Sequence, residues 1–164
     1  MQFTADQYFW ASQERMTQAR ILYREGKAFA LAMYCGGLAV ESLLRAFRWT
    51  ADPSFEGRHD LLELLKASRL LQVDVVAMRR KGSREGAIYR SGVEVRGAMN
   101  EIASLWNNSL RFASEARLRT HLNKLGRLQG VKGDPLKKNA LDLLSAAQRV
   151  IDRGVALWMS EIRS

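Results

Sequence analysis

The sequence predicts an all-α fold: an antiparallel bundle of four long helices with one or two short ones. Three observations predict it. Apolar residues recur at three- and four-residue steps over most of the chain, as on one face of a helix. No segment alternates polar and apolar residues the way a half-buried strand does. Asp-Pro pairs and glycines cut the periodic stretches into helix-length pieces. The 164 residues, 47% apolar and 26% charged, fit a single domain, 1–164, with its own core.

Each element follows in order. Thr4 caps a first helix whose apolar line is Ala5, Tyr8, Phe9, Ser12, Met16, Ala19 and Leu22, and Gly26 ends it. A second helix runs from about Lys27 to Trp49, with Ala28, Ala32, Gly36 and Ala39 forming a stripe of small residues. Gly36-Gly37 costs roughly 1 kcal/mol per glycine in a helix interior, so a neighbouring helix must approach closely there. Asp52-Pro53 stops that helix. A short third helix spans His59 to Leu71, and Arg79 to Gly86 reads as an exposed charged loop. Periodicity resumes at Ile88 and continues through Val95, Met99, Ile102, Leu105, Trp106 and Leu110 to about Phe112. Ser114 opens a shorter helix that ends near Gly126, and Leu128 to Gly133 forms a second loop. Asp134-Pro135, a capping Asp with Pro at the first helical position, starts the last long helix.

Composition excludes several function classes. The lone Cys35 rules out a disulfide scaffold and a cysteine-based zinc site. The longest uncharged run, Ala28 to Val40, is thirteen residues, short of the ~20 that a membrane span needs. The start, Met1-Gln2-Phe3-Thr4, has neither a basic region nor a signal-type apolar core. A soluble cytoplasmic protein with no membrane partner is expected. There is no Gly-rich phosphate loop, no His-x-x-x-His pair, no acidic metal cluster and no Gly-x-Ser-x-Gly nucleophile. No cofactor and no metal are expected.

The net charge of +9 is confined to one part of the chain. Residues 1–78 carry nine basic and nine acidic side chains, and residues 139–164 three of each. Residues 79–138 hold fourteen basic against five acidic, so the whole excess lies there. A confined basic excess suggests a face that meets a polyanion, or else an incidental set of basic loops.

Two motifs in the first half point to a family. Ala19-Arg20-Ile21-Leu22-Tyr23-Arg24-Glu25-Gly26 followed by Ala28-Phe29-Ala30, and then Gly37-Leu38-Ala39-Val40-Glu41, resembles the start of a HEPN domain. The Gly57-Arg58-His59-Asp60-Leu61 segment is similar to that family's His-x-Leu helix start. The resemblance covers residues 5–70. It implies a four- to five-helix bundle that dimerises, and an RNA- or nucleotide-associated role in toxin–antitoxin or defence systems. It also implies that a nucleotidyltransferase-type protein is a candidate partner and that His59 has a structural role.

Ribonucleases of that family carry an Arg, four to six residues, then a His. Attack of a ribose 2′-hydroxyl on phosphorus needs a group of near-neutral pKa to move a proton and a cation to hold the phosphorane charge. Neither His59 nor His121 has an arginine at that spacing. Arg117 and His121 do share a helical face four residues apart. They stand as a phosphate-contacting or catalytic pair, or as ordinary surface cations. Trp106, Asn107, Arg111 and Phe112 form an aromatic–polar cluster in which the two rings stack a base and Arg111 meets a phosphate. In the alternative, both rings fill core and the amides cap a helix end. Glu41, beside an apolar run, needs a basic partner, with Arg45 the nearest in sequence.

The phosphate-contacting set is therefore Arg111, Arg117, Arg119 and Lys124, with Trp106 and Asn107. The reading is a HEPN-like module that binds RNA or nucleotide phosphates through residues 79–138 without cleaving them. One alternative is a divergent ribonuclease using Arg117 and His121. Another is an assembly subunit whose basic loops meet a partner protein.

Overall fold

The computed structural model describes residues 3–54, 59–68, 70–80, 82 and 85–162. Four long helices carry the bundle: α1 (Ala5–Glu25), α2 (Phe29–Ala51), α5 (Glu85–Leu105) and α7 (Pro135–Leu157). Three shorter ones, α3 (Leu61–Ser68), α4 (Leu70–Arg80) and α6 (Glu115–Lys124), fill in around them. That is more short helices than the sequence suggests. A 3₁₀ turn over Asn108–Phe112 joins α5 to α6, and a π-helical turn over Trp158–Ile162 follows α7. Among the described residues there is no strand.

The helix ends obey the sequence signals. Thr4 and Gln7 form a reciprocal capping box at α1, with Thr4 N–H donating to Gln7 Oε1 at 2.9 Å. Gly26 closes α1 in the left-handed region at φ 72°. Asp134 Oδ1 accepts from the Leu136 N–H at 2.9 Å, with Pro135 at the first position of α7. The α2 end at Ala51 falls directly before Asp52-Pro53.

α2 is the central helix. It packs against α1, α7 and α3, and fifteen of its 23 residues are buried. Its small-residue stripe brings neighbours close from within the same chain. At Gly36 the side chains of Leu143 and Leu144 on α7 press against the backbone, and at Gly37 the indole of Trp106 does so. The stripe is thus covered internally and carries no argument for a second copy. By length and composition α2 could cross a membrane, with a mean hydropathy of 1.3 over its most apolar window, but 78% of that window is buried inside the bundle. Core packing accounts for its apolarity. Each leucine fully buried here, such as Leu43, Leu44 and Leu143, contributes about 1.5–3 kcal/mol relative to exposure.

The bundle closes on an aromatic cluster. Trp158 stacks on Phe9 of α1 at 4.9 Å between ring centroids and meets Phe47 of α2 edge-on at 5.5 Å.

Two stretches differ from the sequence reading. The third helix ends at Ser68, and α4 then runs on through Arg80, so Arg79 and Arg80 belong to a helical last turn rather than to a loop. The valine-rich run Val73-Asp74-Val75-Val76 has no clean three–four spacing, so packing on α5 rather than periodicity makes it helical. Lys81, Ser83 and Arg84 of that expected loop, with Gly57 and Arg58 before His59, lie outside the described residues. The helix expected to reach Phe112 stops at Leu105. Asn107 adopts an extended backbone (φ −145°, ψ 159°), and its side chain accepts from the Ser109 N–H at 3.0 Å. A side chain that caps its own backbone in this way competes with helix continuation.

Cys35 lies in the core, and desolvation pushes its thiol above the ordinary cysteine range, with Arg15 pulling weakly the other way. At neutral pH the thiol is therefore protonated and shielded. A thiol reagent should label the folded protein slowly and the denatured protein fast. At Gly37 an added methyl group would overlap the rigid Trp106 ring, so Gly37→Ala should destabilise by about 1–3 kcal/mol despite the better helix propensity. Gly97, mid-helix with open space around it, should instead gain up to ~1 kcal/mol on replacement by Ala. Denaturant midpoints of the two variants check the opposite signs.

Candidate phosphate-binding groove

The 3₁₀ turn and α6 together form an open groove of about 470 Å³. Its floor is apolar: Leu110 and Leu118 point into the core and are 3% and 0% exposed. Its rim is polar and cationic. Arg117, His121 and Lys124 line it from α6, and Asn107, Ser109 and Phe112 from the turn side. Residues at i, i+4 and i+7 share one face of a helix, which is why these three α6 side chains converge. No acidic side chain is among the described lining residues.

Two local structures hold the groove in shape. Ser114 caps α6 by accepting from the Arg117 N–H at 3.2 Å. Glu115, in the first turn, points the other way and accepts from the Ala30 N–H of α2 at 3.0 Å. α2 has no side-chain cap of its own, since Ala28 stands at the capping position. Glu115 therefore supplies the missing acceptor across 85 residues of sequence and fastens α6 to the central helix. Its second oxygen, Oε2, is buried without a partner among the described residues, which offsets part of the gain.

The expected site residues separate into two groups. Asn107, Arg117, His121 and Lys124 come together in the groove. Trp106, Arg111 and Arg119 do not line it. Trp106 is only 6% exposed; its ring fills the space over Gly37, and Nε1–H donates to the Tyr34 carbonyl at 3.1 Å. It belongs to the core, so the expected sandwich of a base between Trp106 and Phe112 cannot form. Arg119 is exposed two positions from Arg117, which turns it about 200° around α6. Arg111 rests its guanidinium over the Phe112 ring, 4.6 Å from the centroid. Among the described cations of 79–138, only Arg117 and Lys124 line the groove.

The sequence reading missed how Glu41 and His59 meet. Glu41 is 2% exposed on α2. Arg45 Nε reaches its Oε1 at 2.8 Å, as expected from the sequence, and His59 Nδ1 lies 2.9 and 3.0 Å from its two oxygens. Two carboxylate acceptors place the proton on Nδ1. Asp60 then caps α3 by accepting from the Leu62 and Glu63 N–H groups, each at 2.9 Å. His59 thus ties the connection before α3 down onto α2. The half-exposed ring opens on a smaller groove of about 270 Å³, which shares Asn107 with the first. His-Asp followed by an aliphatic run shows a helix start, but nothing in sequence spacing pairs residue 59 with residue 41.

Among the described residues no group of three or more His, Cys, Asp or Glu side chains is placed to hold a metal ion. No family model, curated protein or solved structure matches the chain.

Glu115→Ala should uncap α2 and lower stability by about 0.5–1 kcal/mol, the low end for a lost cap because one carboxylate oxygen was already unpaired. Amide exchange should speed up most at Phe29 to Ala32, the first turn of α2.

Proposed function

We propose that this protein is a HEPN-like helical module that binds RNA or nucleotide phosphates in the α6 groove without cleaving them. The observation that carries the reading is the convergence of Arg117, His121 and Lys124 on one groove with no acidic neighbour among its described lining. Anions are attracted to such a row, and a concave, partly apolar floor strengthens the field at the cations. Asn107, Ser109 and Thr120 add neutral hydrogen-bonding groups at the same rim. The spacing of arginine and histidine that family ribonucleases use is missing, which favours binding over cleavage.

One observation favours a second reading, a divergent ribonuclease: Arg117 and His121 line the same groove from the same helix face. There His121 would move the proton of the 2′-hydroxyl and Arg117 would hold the phosphorane charge. A gel assay with end-labelled RNA separates the possibilities. Retention without shortening supports the binding module. Shortening that disappears in His121→Ala supports the nuclease. Neither outcome leaves the assembly subunit, with a protein partner, as the reading.

The salt dependence locates the contact. Affinity for a single strand should fall with salt at a log–log slope near −0.7 per phosphate neutralised. Replacing Arg117 and Lys124 together by Ala should weaken binding and flatten that slope by about 1.4. Arg119→Ala, on the other side of the same helix, and the Arg20→Ala, Arg24→Ala pair on α1 should change it little. Equal losses from all of these variants would mean that the groove is not the contact.

A further inference from the structure

The groove reading leaves one residue unexplained. Phe112 is 80% exposed, the most exposed of the large hydrophobic side chains described. It contributes nothing to the core, yet it is not on a loose segment. The 3₁₀ turn that bears it is pinned by Leu110, 3% exposed, and by the Asn107 cap. It is also held by backbone hydrogen bonds from Leu110 N to Asn107 O and from Ala113 N to Leu110 O, both 3.1 Å. A bare aromatic ring is thus held out on a rigid support at the lip of a cationic groove.

We propose that the ligand is an unpaired polynucleotide strand and that Phe112 is the platform on which one of its bases stacks. This rests on the groove being a phosphate site. Arg111 covers one face of the ring, with its guanidinium carbon 4.6 Å from the centroid, and the opposite face receives the base. The guanidinium is attracted to the electron-rich face that it covers. Stacking on such a ring tolerates any base, because every base has a π-face. The two groove cations, with His121 between them, then follow the backbone. Along α6, His121 and Lys124 lie about 6 Å and 10 Å beyond Arg117, a row long enough for successive phosphates rather than for one. Asn107 uses its side-chain oxygen on the Ser109 N–H, so its amide NH₂ group is the donor it offers to the strand.

A duplex does not fit this arrangement. Its internal bases have both faces covered by their neighbours and only its two end pairs expose one, whereas any base of an unpaired strand can turn a face to a protruding ring. A polyanion without bases would use the cations and leave Phe112 idle. A partner protein seated on Phe112 is the competing occupant, and it would leave strand binding indifferent to the ring.

Fluorescence anisotropy with the full chain separates these cases, using three probes of equal charge: an oligouridine dodecamer, an abasic strand of the same length, and a blunt RNA duplex. The dodecamer should bind more tightly than either of the others. Phe112→Ala should weaken dodecamer binding about 5- to 150-fold, the range for one base stacked on one ring. The abasic strand should bind that variant as well as it binds the parent, and Phe112→Trp should restore the dodecamer. Because the side chain is exposed, the thermal midpoint of Phe112→Ala should match the parent, which separates a lost contact from a lost fold. Equal binding of dodecamer and abasic strand, or an unaffected Phe112→Ala, overturns the stacking platform while leaving the phosphate groove in place. Failure of the parent to bind any of the three removes the groove reading and the platform together.

Discussion

One side chain, Trp106, sets the geometry on which the groove depends. Its indole occupies the space that Gly37 leaves open on α2, and its N–H reaches the Tyr34 carbonyl one turn earlier. Seating the ring there fixes the backbone at the end of α5, and the next residue leaves the helix in an extended conformation. The 3₁₀ turn, the groove wall and the start of α6 all follow from that exit. A smaller side chain at 106 would leave a void against α2, and cavities in cores cost several kcal/mol. The tryptophan is therefore a structural keystone of the α6 groove although it does not line it.

Polar contacts add position rather than bulk stability. Glu115 reaches the uncapped start of α2, and His59 reaches the buried Glu41 further along it. Each such contact is worth about 1 kcal/mol net, less than one fully buried leucine. Their value lies in direction. Apolar packing would accept small slides of α6 along α2, whereas a carboxylate aimed at one N–H accepts only one register. Both sit on the same central helix, so α2 acts as the reference to which the peripheral segments are aligned.

Much of this was legible in the residues. The four long helices follow from their periodicity, and the Thr4, Gly26, Asp52-Pro53 and Asp134-Pro135 signals mark their ends closely. The Gly36-Gly37 pair announced a close approach, though not that one of the two neighbours would be an indole. The α4 helix was hidden because its valines blur the helical period and tertiary packing decides the outcome. The break at Asn107 was hidden because Leu105, Trp106 and Leu110 continue an apolar spacing that a helix and a kinked turn satisfy alike. For the groove, the i, i+4, i+7 row of Arg117, His121 and Lys124 was readable, and the same rule excludes Arg119. The Glu41–His59 and Glu115–Ala30 contacts span 18 and 85 residues. Local pattern carries no information at such separations.

The two sides of α6 have divided duties. Leu118 and Leu122 are fully buried, while Arg117 and Lys124 are exposed beside them. The side chains that would meet a ligand are therefore nearly weightless in the folding balance, and those that secure the fold are out of a ligand's reach. Exchanges along the exposed row escape the usual conflict between acquiring a new activity and staying folded. A lineage could retune what this groove holds, one residue at a time, on an unchanged scaffold.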